Sequence, residues 1–272
     1  MADHLLERLQ LGLSKAADGD PRLLSLAAVA FVAALLCDGA AWRAGFAVHA
    51  RLVSLPDTTA RYATGSLVNA LVPARAGTVT RLGLFARAVG GKATVTTGAA
   101  IGGAHVILLA GLATIGLGPS MLPVPPYVVA PVAAAAVLVA IAARRKLGTA
   151  QVAPWIVLAT ALRLAAAAVV ASAFGVGSPV AAGCAMLAAL GLSGTLPITP
   201  GNAGVGAAAV AFALAGRGVP GSAGLAAGVA FGLIETAVAI ACGLVGLAVL
   251  FLGRRRQRRG AWTAQPVPAR AT

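Results

Sequence analysis

The chain has 272 residues, of which 59% are hydrophobic and only 10% charged, far below the roughly one-quarter charged share of soluble domains. This excludes soluble enzymes, disordered tails and disulfide-stapled secreted domains, and the long continuous apolar runs exclude a β-barrel, whose strands alternate over roughly ten residues. The formal charge of +14, from 21 Lys+Arg against 7 Asp+Glu, would point to nucleic acid in a soluble protein. Here the basic residues flank apolar runs, so they set topology and meet anionic headgroups, and no nucleic-acid partner is expected.

Residues 1–22 mix charges with a stripe of Leu5, Leu9 and Leu13 at every fourth position, which predicts a short cytoplasmic or interfacial helix. Asp3, Glu7, Asp18 and Asp20 argue against a signal peptide. A transmembrane domain is expected over residues 23–252. Its continuous spans are Leu23–Trp42, Thr94–Gly118, Tyr127–Ala143, Val152–Phe174 and Ser222–Leu252. Trp42 with Arg43, Tyr127 and Trp155 are expected to mark membrane interfaces. The fold class is all-α: a polytopic integral membrane bundle of about six to eight segments.

Two stretches are not simple spans. Residues 58–92 run through SLVNALV into Pro73, Arg75 and Gly77, then into a run carrying Arg81, Arg87 and Lys92. Residues 179–216 run through AAGCAMLAALGLSG into Pro197, Pro200, Gly201 and Gly204, then AAAVAFALAG. Proline removes a backbone donor and glycine loosens a helix, so each stretch is expected to break at its centre and could be re-entrant. Broken backbone at membrane depth must line protein or a water-filled cavity. The strings Pro73-Ala-Arg-Ala-Gly77 and Pro200-Gly-Asn-Ala-Gly204 share P-x-x-A-G. Paired interruptions of this kind point to an internal repeat with a site between its copies.

The basic clusters Arg144-Arg145-Lys146 and Arg254-Arg255-Arg256-Gln257-Arg258-Arg259 predict cytoplasmic positions. The amino terminus is then inside if residues 58–92 cross once in net, the favoured expectation, and outside if they cross twice. The tail 253–272, basic and then rich in Pro and Ala, is expected to be a disordered cytoplasmic end. The protein is expected to be multi-pass in the cell (inner or plasma) membrane. Cys37, Cys184 and Cys242 are dispersed in apolar sequence and are expected to act as small apolar residues.

No P-loop, HExxH, Rossmann or zinc spacing occurs in the sequence, so no cofactor, metal or catalytic residue is expected. Gly191-Leu-Ser193-Gly194 resembles the GxSG motif of rhomboid intramembrane proteases. That family pairs the serine with a histidine on a later helix, but no histidine follows Ser193, and His105 precedes it. Ser193 is expected to aid helix packing or to cap the break.

Ionisable residues at bilayer depth are costly and face a cavity or a partner. Arg163 lies deep in its span, Glu235 is similarly deep, and Asp38 lies towards the end of the first span. Arg163 and Glu235 could form a structural pair, or Arg163 could grip a lipid phosphate with Glu235 orienting it. His105, also mid-span, is expected to be a neutral, hydrogen-bonded imidazole. Arg75 and Arg81, at and just after the first break, fit an anion site beside freed backbone amides. Arg87 and Lys92 fit snorkelling interfacial cations.

The string Asn69-Ala-Leu-Val-Pro73-Ala-Arg75-Ala-Gly77-Thr-Val-Thr-Arg81 resembles the N-x-x-x-P-x-R-x-G-E-x-x-R region of the flippase-like family, also called the lysylphosphatidylglycerol synthase transmembrane region. Leu196-Pro-Ile-Thr-Pro200-Gly201-Asn-Ala-Gly204-Val205 is similar to its P-x-x-P-G-G-x-G-x-x-E segment. The resemblance implies a domain that moves polar lipids between leaflets. It has Arg75 and Arg81 on the headgroup phosphate, Asn69 nearby, and Pro73, Gly77, Pro200, Gly201 and Gly204 shaping the breaks. The partners implied are an anionic phospholipid or a lipid-linked polar headgroup. No soluble synthase domain is expected after Leu252. The family's two motif glutamates are replaced by Thr78 and Ala207, its E-R-x-x-D stretch by the uncharged region around Ile101–His105, and an expected arginine by Gly232. These departures imply a divergent, stand-alone member. They also leave open a non-transporting scaffold or partner subunit of a lipid or cell-envelope synthesis system.

Overall fold

The computed structural model describes Ser14 and residues 19–72, 76–116, 149–193 and 203–263. The helices are α1 (Pro21–Val48), α2 (Leu55–Leu71), α3 (Ala76–Val89), α4 (Gly91–Gly116), α5 (Thr149–Ala173), α6 (Pro179–Ser193), α7 (Ala203–Ala215) and α8 (Gly221–Thr263). Among the described residues there is no strand. α1, α4, α5 and the apolar part of α8 are long and apolar enough to cross a membrane, so the chain is an all-helical membrane bundle. The expected span Tyr127–Ala143 lies outside the described residues, as do residues 1–13 and 264–272 of the expected terminal segments.

Helix ends follow local chemistry. Asp20 caps α1 by accepting from the Arg22 N–H at 2.8 Å, with Pro21 opening the helix. Ser54 caps α2 through the Asp57 N–H at 3.3 Å, and Asp57 itself meets the positive end of the helix dipole. α2 stops at Leu71 because Pro73 disfavours helical backbone at the preceding residue. Val72 is accordingly extended, with φ −119° and ψ 131°. Gly90, at φ +93°, turns the chain from α3 into α4 in a conformation that glycine adopts without strain.

The eight helices among the described residues run long, short, short, long, and then repeat that order. Each helix of the second half starts 124 to 130 residues after its counterpart in the first. α3 begins at Ala76 and α7 at Ala203, the alanines of the two P-x-x-A-G strings. The packing repeats too. α1 lies on α2 as α5 lies on α6, α3 on α4 as α7 on α8, and α2 on α8 as α6 on α4. The first helices of the two halves, α1 and α5, share the most extensive contact.

α1 and α5 run antiparallel. Ala27 and Phe31 pack among Ala166, Ala167, Val170 and Ala171, whereas Ala41, Trp42 and Phe46 pack with Val152 and Ile156. The halves are therefore an inverted repeat about the middle of this helix pair. Small residues allow the close approach that drives association where no hydrophobic effect operates between helices. Trp42 does not mark an interface as expected. It is buried and stacked on Phe85, with ring centroids 4.5 Å apart, because α1 continues to Val48 and carries Trp42 into the bundle.

α2 and α3 form an antiparallel hairpin. Arg61 Nη1 donates to the Leu84 carbonyl at 2.7 Å, Arg81 reaches Ser66, and Gly77 lies against Gly65 and Asn69 near the tip. Its arms of 17 and 14 residues are shorter than the roughly twenty that a crossing needs. The hairpin opens where α1 ends, since Phe85 and Val89 share a cluster with Phe46. The counterpart arms α6 and α7 have 15 and 13 residues and open where α1 begins, with Val176, Val210 and Leu214 clustered around Ala27 and Phe31.

This geometry differs from the single net crossing expected of residues 58–92. Because α2 and α3 return to the side from which they leave, residues 58–92 make no net crossing. α8 packs antiparallel to α2, with Gly243 beside Leu67 and Gly246 beside Ala60, so it ends beyond the start of α2. α1 thus begins at one end of the bundle, and α8 carries the basic run to the other.

Candidate functional site

Six helices bring ionisable side chains to mid-depth: Asp38 on α1, Tyr62 on α2, Arg81 on α3, His105 on α4, Arg163 on α5 and Glu235 on α8. Asp38 is 1% exposed and is the one charged side chain among the buried residues described. Arg163 donates through Nη2 to Asp38 Oδ2. The expected Arg163–Glu235 pair is therefore not formed. Asp38 takes its place because the antiparallel crossing sets residue 38 opposite residue 163. Glu235 remains within the electrostatic reach of both members of that pair. His105 feels Asp38, Arg163 and Arg81, and its Nδ1–H donates to the Ile101 carbonyl at 3.1 Å, which matches the hydrogen-bonded imidazole expected for it.

Tyr62 joins this cluster to the hairpin. Its phenol interacts with Asp38 and with both arginines. The Arg81 guanidinium carbon lies 3.9 Å from the Tyr62 ring centroid, a cation–π contact of about 0.5–2 kcal/mol. Arg81 Nη2 also donates to Ser66 Oγ at 3.2 Å. Arg81 thus turns into the bundle instead of snorkelling. Arg87 and Lys92 are exposed, as expected of interfacial cations.

Several buried polar atoms in and around the cluster have no hydrogen-bond partner among the described residues: Asp38 Oδ1, Trp42 Nε1, Asn69 Oδ1 and Arg81 Nε. Buried polar groups are nearly always satisfied, and each exception costs about 1–3 kcal/mol. Asn69 and Arg81 lie on facing arms of one hairpin. Their free acceptor and free donor mark a place where a polar ligand or water would be stabilised.

Arg163, Glu235, Asn69 and Arg81, all singled out from sequence, fall in or beside this cluster. Gly77 holds the hairpin closed, because a Cβ there would collide with the Gly65 carbonyl and Asn69. Gly204 lies near the start of α7, and a Cβ there would meet nothing among the described residues. Pro73, Arg75, Pro200 and Gly201 lie outside the described residues. Sequence reading missed Tyr62, for which no spacing signal existed. It also missed the Arg61–Asp57 pair, 2.8 Å apart at i,i+4, which the spacing could have revealed. Ser193 donates to the Leu190 carbonyl at 3.1 Å, a back-bond to its own helix. Among the described residues no group of His, Cys, Asp or Glu is arranged to hold a metal. The chain matches no family model, no curated protein and no solved structure.

Proposed function

We propose that this protein binds the polar headgroup of an anionic or lipid-linked lipid within the bundle and carries it between leaflets. The observation that carries this reading is the convergence of charged side chains from both halves of an inverted repeat at mid-depth. Transporters place their sites at such repeat interfaces, and intramembrane charge marks substrate paths. Arg81 Nε and Asn69 Oδ1 supply an unused donor and acceptor on a hairpin too short to cross. The lipid cargo named in this reading is what the flippase-like resemblance of the same hairpin implies.

In this reading the end of the bundle bearing Arg43, Arg51, Arg87, Lys92 and the basic run after Gly253 is cytoplasmic by the positive-inside rule. α1 then starts on the outer side, in the cell membrane. The decisive measurement is leaflet sidedness of an anionic lipid in proteoliposomes. Wild-type protein should speed its exchange, and Arg81→Ala should slow that exchange about tenfold, the loss of one charge-assisted contact. No acceleration by the wild type would refute the reading. The absence of charge from the second hairpin favours one other reading, a scaffold that holds a lipid-synthesis partner. A scaffold would retain its partner and its phenotype in Arg81→Ala.

A further inference from the structure

One face of α1, traced by steps of three or four residues, changes character at Asp38. Before Asp38 it carries Ala27, Phe31 and Ala34, all buried and apolar. After Asp38 come Trp42, Gly45 and His49, and a polar group stands at each. Trp42 is 4% exposed, and its Nε1–H has no acceptor among the described residues. Gly45 admits Thr97 of α4, whose Oγ1 lies 3.1 Å from where a Cβ of residue 45 would stand. That hydroxyl, on a residue 1% exposed, is also without a partner among the described residues. His49 ends the line at the C-cap of α1, half-buried, with Nε2 2.8 Å from Thr96 Oγ1. At the inner end, Asp38 gives one carboxylate oxygen to Arg163 and leaves Oδ1 unpaired.

Buried polar groups are satisfied by protein or by ordered water. Here an acceptor, a donor and a hydroxyl that can do both follow one another along a single line. Buried water serves such groups, making about three hydrogen bonds to atoms that the protein leaves unpaired. We propose that this face of α1 holds a file of water molecules from His49 to the Asp38–Arg163 pair, and that the pair is hydrated from that end of the bundle alone. The path covers about 16 Å of helix rise, roughly half the hydrocarbon core. Beyond Asp38 the same face offers water no partner. Ala27 packs with Ala166 and Ala167, and Phe31 meets the Phe231 ring edge-on at 4.9 Å between centroids. A buried ion pair repays its desolvation only when its remaining lone pairs are satisfied, and water at Asp38 Oδ1 does this. The file is a property of the bundle and stands whether or not a lipid is carried.

X-ray hydroxyl-radical footprinting of the full-length protein in phosphatidylcholine nanodiscs tests the file, because radiolysis of bound water oxidises the side chains beside it. Trp42 and Phe31 are equally buried, each 4% exposed. With each rate divided by the intrinsic reactivity of its side chain, Trp42 should be oxidised several-fold faster than Phe31. Met186, buried in the apolar half, should stay unmodified. Thr97→Val keeps the shape of the side chain and removes its hydroxyl. It should cut the Trp42 rate several-fold and leave unchanged that of Trp155, whose ring is exposed. Slow oxidation of Trp42, no faster than that of Phe31, overturns the file in the wild-type protein without any variant. Fast oxidation of both overturns the one-sided hydration. A Trp42 rate unchanged by Thr97→Val overturns the route past Gly45.

Discussion

The two hairpins occupy corresponding places in the repeat and are built from opposite materials. α2–α3 carries Asp57, Arg61, Tyr62, Ser66, Asn69 and Arg81, while α6 and α7 contain no charged residue at all. Shape is thus repeated, and chemistry is not. In a bilayer, backbone satisfaction and small-residue packing suffice to make a helical hairpin. The charged residues of α2–α3 add cross-arm ties, Arg61 to Leu84 and Arg81 to Ser66, that the second hairpin does without.

The contrast can be broken first at the joint between the halves. Removing one member of a buried ion pair leaves a lone buried charge, at a cost of about 3–5 kcal/mol. Asp38→Ala or Arg163→Ala should therefore produce the largest loss of thermal stability in detergent. Replacing both with leucine should restore most of it. Next come the motif glycines. Gly77→Leu should cost about 1–3 kcal/mol through overpacking against Gly65. Gly204→Leu should change stability by under about 0.5 kcal/mol. Equal effects in the same melting experiment would show that the two hairpins are held alike.

Smaller again is Arg81→Ala, which should lower stability by about 1 kcal/mol through the lost Tyr62 contact while affecting lipid exchange far more. Arg61→Ala should be the mildest, below about 1 kcal/mol for a partly exposed pair. Its effect should appear as faster proteolysis or hydrogen exchange in the 76–89 arm. A drop in exchange of anionic lipid with Arg61→Ala as large as with Arg81→Ala would place the site at the mouth of the hairpin rather than inside it.

Much of this architecture was legible in the sequence. Hydropathy located α1, α4, α5 and α8 to within a few residues at most of their ends. The Pro/Gly strings located both breaks, and the structure adds that α3 and α7 begin at the alanines of those strings. Those signals are local, since backbone chemistry and apolar run length act over a few turns. What was not legible depended on partners distant in the chain. Asp38 meets Arg163 across 125 residues, a pairing fixed by the antiparallel crossing of α1 and α5. The same applies to Trp42, whose burial comes from Phe85 on another helix. The side on which α1 begins depends on whether α2 and α3 cross or return, which hydropathy cannot distinguish.

The repeat has a consequence for how such a chain can exist. Asp38 and Arg163 sit within about one turn of matching positions in the two halves, and His105 and Glu235 are separated by the same interval as the starts of α4 and α8. At each matching position, one half supplies an acid and the other a base. Two identical copies of either half, assembled in the same arrangement, would set carboxylate against carboxylate or guanidinium against guanidinium at the centre. A single gene for half the molecule, used twice, therefore could not build this protein. Complementarity at the centre therefore requires the two halves to differ in sequence where they meet.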